Sequence, residues 1–208
     1  MIYLDNSATT RTLDIAADTA AQYMKADFFN PAAAYSAAVE VERNINSARA
    51  RLANAIHAQS DEIIYTSGGT ESNNMAIFGA LRARRGGGRI IVGATEHPSV
   101  YEAAMSMKGP YVINEARVDK TGAYDVNMLA QSIANDVAFV SVMQVNNETG
   151  AINDIPAIYK AVKQRAPMAI MHVDGVQGFL KVPFDARYCD MYSISGHKFH
   201  ACLLYTSP

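Results

Sequence analysis

The 208-residue chain predicts an α/β protein, with a mainly parallel sheet flanked by helices. Three observations predict it. Apolar runs recur at Ile90-Ile91-Val92, at 138–142, at Ala169-Ile170-Met171 and from Cys189 to Ile194, too continuously apolar for strands with one wet face. Stretches of helical apolar spacing alternate with them. Each run ends in a polar or glycine-containing turn, and the carboxyl ends of strands are where an open α/β sheet gathers its ligands.

Taken in order, the apolar spacing predicts helices from Leu13 to Ala26, from Ala34 to His57, from Glu71 to Arg84, from Val126 to Ala134 and from Ile155 to Arg165. Before the third of these, the β-rich run Ile63-Ile64-Tyr65 gives way to Gly68-Gly69-Thr70. Glycines let backbone N–H groups approach an anion, and a helix start adds unpaired donors and a positive dipole end. Gly69 and Thr70 therefore read as a phosphate cup, or as a plain turn with Thr70 as helix cap. Thr95-Glu96-His97-Pro98 follows the 90–92 run and sets an imidazole before a proline-started helix, where it either stacks on a flat ring and handles protons or serves the fold. Arg84-Arg85-Gly86-Gly87-Gly88 reads as a solvated connector.

Three further turns carry candidate chemistry. Ser193-Ile194-Ser195-Gly196-His197-Lys198 presents a lysine just past a buried run; desolvation and neighbouring positive charge favour a neutral amine able to attack an aldehyde. That is a requirement of pyridoxal phosphate chemistry, although strand-end lysines are also ordinary surface residues. His172-Val173-Asp174-Gly175-Val176-Gln177 ends the preceding run. Asp174 is placed to keep a pyridine nitrogen protonated, or to cap a turn; Gln177 is a donor for a phenolic oxygen or a polar residue at a helix start. Val145-Asn146-Asn147-Glu148-Thr149-Gly150 clusters amide and carboxylate groups after the 138–142 run.

Jointly these segments, with Tyr3-Leu4-Asp5-Asn6-Ser7-Ala8-Thr9-Thr10 and Phe29-Asn30-Pro31, resemble the class V aminotransferase family of fold-type I pyridoxal phosphate enzymes, and within it the cysteine desulfurases that supply sulfur for iron–sulfur clusters. The matches run in family order to His200. The resemblance implies a large domain with a mainly parallel (mixed), seven-stranded-type sheet, here incomplete. It implies that Lys198 condenses with the cofactor aldehyde, that Asp174 faces the ring nitrogen and that His97 stacks on the ring. Gly69, Thr70, Ser195 and His197 would hold the phosphate, while Gln177 and Asn147 would meet the phenolic oxygen and Asn147 the substrate carboxylate. The implied partners are pyridoxal 5'-phosphate, L-cysteine, a second copy of the chain in a homodimer, and a sulfur-acceptor or iron–sulfur scaffold protein. A selenocysteine lyase or another class V lyase or aminotransferase shares these residues, and a non-catalytic interaction paralogue is the reading from another class.

The resemblance also sets out domains: an arm at 1–15, a partial cofactor-binding large domain at 16–200, and a tail at 201–208 that departs from the family, with the small C-terminal domain expected to be missing. The arginine for the substrate carboxylate and the nucleophilic cysteine are expected to be missing with it. Cys189 reads as a buried, inert thiol, and Cys202, four residues past Lys198, stands outside the family's nucleophile context. The chain as given is therefore expected to be inactive and poorly soluble, because apolar surface would be left uncovered.

Composition agrees with a soluble enzyme. Half the residues are hydrophobic and 18% charged, enough for one substantial core. The formal net charge of −2 gives no support to nucleic-acid binding. Two cysteines do not make a disulfide framework. Without a basic start or a long apolar segment, no membrane role and a cytoplasmic address are expected.

Overall fold

In a computed structural model the described residues are 2–84 and 86–201; of the tail expected to depart from the family, Cys202 and residues 203–208 lie outside them. The described residues divide into two compact units, 2–65 with 196–201, and 66–195.

In the larger unit, five strands form one sheet: β1 (Gly88–Gly93), β2 (Tyr111–Ala116), β3 (Val137–Met143), β4 (Ile170–Asp174) and β5 (Met191–Ser193). Their order is β2-β1-β3-β4-β5, and every pairing is parallel. The parallel sheet flanked by helices is as the sequence predicts, with five strands of the seven-stranded type formed among the described residues. All seven residues of β3 are buried, as a strand covered on both faces requires.

Two apolar clusters cover those faces. One packs Ile77, Ala80 and Leu81 of a helix at Gly69–Ala83, and Val100, Ala103 and Ala104 of a helix at Pro98–Ser106, against Ile90, Val92 and Phe139. The other packs Leu129 of a helix at Val126–Ser132 and Ile155, Ile158 and Val162 of a helix at Ile155–Arg165 against Ile91, Val140, Val142, Met171 and Val173. Ile90 and Val92 face one cluster and Ile91 the other, which is the period-two alternation of a strand. Each fully buried aliphatic side chain contributes about 1.5–3 kcal/mol. The helix starts are fixed locally: Asp125 accepts from the N–H groups of Asn127 and Met128, and Asp154 from that of Ala157, with Pro98 and Pro156 in the first turns of their helices.

The smaller unit holds α1 (Asp14–Lys25) and α2 (Ser36–Asn54); in the larger, α3 is Gly69–Ala83, α4 Pro98–Ser106, α5 Val126–Ser132 and α6 Ile155–Arg165. One sequence expectation fails. The run 63–65 pairs with no strand: Ile64 is 69% exposed, and the Tyr65 ring lies under the Arg49 guanidinium of α2. Its β-branched residues have no neighbouring strand to pack on, and β propensity needs one.

Candidate active site

The chain leaves β1 for β2 on one side and reaches β3, β4 and β5 on the other, so the order reverses between β1 and β3. Ligand crevices in such sheets open at that reversal, past the carboxyl ends of the strands. Past β1 stand Glu96 and His97, past β3 Asn146 and Asn147, at the end of β4 Asp174, and past β5 Ser195. Seven of the predicted residues, Gly69, Thr70, His97, Asn147, Asp174, Gln177 and Ser195, belong to the larger unit; His197 and Lys198 belong to the smaller.

Asp174 is 1% exposed. Its Oδ1 accepts from the Val176 N–H at 3.0 Å and its Oδ2 from Asn73 Nδ2 at 3.0 Å. Gln177 is buried, and its Oε1 lies 3.5 Å from Lys181 Nζ, whose ammonium desolvation holds below the usual lysine range.

At the start of α3, an added Cβ on Gly69 would stand 3.2 Å from Val176 Cγ2 and 3.4 Å from Ser195 Cβ. Glycine there lets the Ser195 turn close on the first helical turn, whose N–H groups lack intrahelical partners. Thr70 is exposed on that turn. The turn is held from outside by Glu71, which accepts from the Ser67 N–H and is thereby kept below the usual carboxylate range. It lies beside the sheet without being the end of a paired strand.

His97 caps α4, its Nδ1 accepting from the Ser99 N–H at 3.1 Å with Ser99 Oγ at 2.8 Å. The ring is exposed. Asn147 is half-buried, and the turn that presents it is organised by its neighbour. Asn146 Oδ1 accepts from the N–H groups of Glu148 and Thr149, and its Nδ2 donates to Thr95 O, which ties the β3 turn to the His97 turn.

In the smaller unit, Lys198 Nζ donates to the carbonyls of Ser7 and Ala8 at 2.6 and 2.7 Å. Thr10 N and Oγ1 donate to His197 O, and the His200 N–H donates to Thr10 Oγ1. His197 Nδ1 lies 3.2 Å from Thr9 Oγ1; desolvation first and the Lys198 charge second hold this imidazole below its ordinary range. The lysine turn is thus clasped by the N-terminal arm. In the larger unit Cys189, expected to be buried, is only half-buried, because it lies just before the short edge strand β5; its thiol is directed at Ala186 O.

Sequence reasoning missed Glu96. It is 8% exposed, its Oε1 accepts from Tyr124 Oη at 2.7 Å and the Met143 N–H at 2.6 Å, and its Oε2 has no partner. Burial first, then the Asp174 charge, push its carboxyl up to about 8. Also missed is His172, fully buried between Ser141 Oγ and Ser193 Oγ and lowered by desolvation to about 4. A glutamate before a histidine and a histidine inside an apolar run were the available signals.

A parallel sheet with these groups at its carboxyl ends defines an α/β protein of fold-type I. The chain belongs to the Aminotransferase class-V family, matching it over residues 2–202. It is similar to a cysteine desulfurase of Nostoc sp., 35% identical over 97% of this chain and 50% of that protein. The cysteine desulfurase IscS of Methanosarcina thermophila is 36% identical over 95% of this chain and 50% of its own length. Among solved structures, a NifS-like protein superposes with a TM-score of 0.86 at 30% identity, over 96% of this chain and 56% of that one. SspA in complex with cysteine gives 0.90 at 25% identity, over 96% and 58%. The chain spans about half the length of the curated relatives it matches. Among the described residues no helix is long and apolar enough to cross a membrane, and no group of three or more histidine, cysteine or acidic residues could hold a metal ion.

Proposed function

We propose that this chain is the cofactor-binding part of a pyridoxal-phosphate-dependent cysteine desulfurase, acting on L-cysteine in the cytoplasm as a homodimer and passing sulfur to an acceptor or scaffold protein. The observation that carries the reading is Asp174, a carboxylate buried at the end of a central strand and oriented by Asn73 and Val176. Past the carboxyl end of a central strand, where open α/β sheets bind their ligands, this carboxylate stands where it would meet a protonated pyridine nitrogen. The fit extends to the Gly69 cradle, where an added Cβ would crowd Val176 Cγ2 at 3.2 Å and touch Ser195 Cβ at 3.4 Å. The names of the relatives and the cysteine bound to SspA support the substrate.

Bound pyridoxal 5'-phosphate supplies an electron sink for the substrate carbon that loses its proton. Asp174 would hold the proton on the ring nitrogen. The first turn of α3, from Gly69 and Thr70, would bind the phosphate with Ser195, using helix-start donors, and the resemblance gives His197 the same role. His97 would cover the ring, and Gln177 and Asn147 would orient its phenolic oxygen. Lys198 would supply the amine that holds the cofactor covalently; its Nζ is held by the carbonyls of Ser7 and Ala8, two contacts that the two hydrogens of a neutral amine can satisfy. Cys189, half-buried with its thiol directed at Ala186 O, is not assigned the sulfur-accepting role. An arm at 1–15 and one large domain at 16–200 are part of the same proposal, a division that differs from the compact units 2–65 with 196–201 and 66–195.

The test is borohydride reduction after pyridoxal phosphate is added, followed by peptide mapping. Label on the Lys198 peptide, together with a visible absorption band abolished by Lys198→Ala, is the expected result. Label elsewhere, or none, overturns it.

A further inference from the structure

Two side chains that the proposed chemistry leaves unused join its two principal groups. Asn73, on the second turn of α3, is 1% exposed. Its Nδ2 lies 3.0 Å from Asp174 Oδ2 and 2.9 Å from Ser99 Oγ. Ser99 Oγ in turn lies 2.8 Å from His97 Nδ1. A continuous chain of hydrogen bonds therefore runs from the carboxylate at the end of β4 to the imidazole after β1.

Proton counting gives the chain a direction. A carboxylate can only accept, so the Asn73 amide must turn its NH2 toward Asp174, and the second hydrogen of that NH2 meets Ser99 Oγ. The Ser99 backbone N–H cannot rotate, and it points at His97 Nδ1 from 3.1 Å. Nδ1 is therefore an acceptor, and the Ser99 hydroxyl, already accepting from Asn73, has its own hydrogen free for the same nitrogen. A proton on Nδ1 would face the fixed Ser99 N–H, which has no lone pair to receive it. The remaining ring nitrogen, Nε2, must carry the hydrogen of the neutral imidazole. Asn73 Oδ1 stays without a partner, an unmet acceptor tolerated because the NH2 end is committed twice.

We infer that Asn73 and Ser99 are positioning residues that tie His97 to Asp174 and hold it as the Nε2–H tautomer. The role in cofactor chemistry rests on the proposed function: His97 would present a hydrogen-bond donor at Nε2 and keep Nδ1 engaged with Ser99. The tautomer itself does not rest on it. A side-chain network of this kind fixes which nitrogen is reactive, as partner hydrogen bonds do for imidazoles in general.

The experiment is long-range proton–nitrogen NMR of the histidine rings in the whole 208-residue chain without cofactor, with the His97 signals assigned by their loss in His97→Gln. The expected result is a single Nε2–H pattern. Ser99→Ala should move the Nδ1 resonance toward that of an unbonded ring nitrogen. Asn73→Leu should do so too by releasing the Ser99 hydroxyl, and Ser99→Thr, which keeps the hydroxyl, should restore the original pattern. A proton on Nδ1 in the unaltered chain overturns the inference, as does an Nδ1 signal indifferent to both Ser99→Ala and Asn73→Leu. Failure of Lys198 to be trapped, with these shifts intact, would sink the proposed function and leave the relay standing.

Discussion

Replacing Glu96 by glutamine should remove a pH dependence of folding that the unaltered chain carries. The Glu96 carboxyl titrates near 4.5 when solvated and is pushed up to about 8 in the fold, chiefly by burial. The folded state therefore binds this proton more tightly than the unfolded chain does. Its contribution to stability is complete below pH 4.5 and is lost as pH rises through about 8. His172 runs the other way. Lowered from 6.5 to about 4, it contributes stability that is present above 6.5 and lost as pH falls through about 4. The two slopes oppose each other at mildly acidic pH, and above pH 6.5 Glu96 acts without His172. At about 1.4 kcal/mol per pH unit, the step from pH 6.5 to pH 8 costs the Glu96 protein on the order of 2 kcal/mol. Glu96→Gln keeps an oxygen for Tyr124 and the Met143 N–H but cannot ionise. Urea unfolding of both proteins at the two pH values measures the difference. Parallel losses in the two proteins would refute the assignment of the shift to this carboxyl.

Other substitutions probe the same frame. In Gly93→Ala the methyl would overlap the Tyr124 hydroxyl and stand 2.7 Å from Glu96 Oε1, so thermal unfolding should show a loss of about 1–3 kcal/mol or more, partly recovered in a Tyr124→Phe background. Ile158→Ala empties a fully buried site under the sheet and should cost about 2–5 kcal/mol by denaturant titration.

Much of the frame was legible because it rests on patterns within single segments. The helix at Ile155–Arg165 has the bounds its spacing predicts, and Ile90-Ile91-Val92 lies within β1. The strand Tyr111–Ala116 was not legible: Asn114 and Glu115 interrupt its apolar run, and its place comes from pairing along β1. The run 63–65 misled for the complementary reason, being β-like in sequence but lacking a partner strand. In the candidate site, Asp174 and His97 could be read from their turns, whereas Asn73 and Ser99 are ordinary helix-start residues whose importance comes from lying between the two. Glu96 was hidden for a similar reason, since its burial depends on Tyr124 and Met143, which are 28 and 47 residues away.

The clasp between residues 7–13 and 197–201 has a consequence during synthesis. Its two halves are separated by nearly the whole described chain, so the amino-terminal half leaves the ribosome long before its counterpart exists. At about 5–20 residues per second, that wait is roughly 10–40 s. The sheet strands emerge during the interval and can assemble in order, whereas the Thr10 and Ser7 contacts must form last. Released chains that end just before residue 197 should therefore hold a protected sheet and an arm still open to proteases.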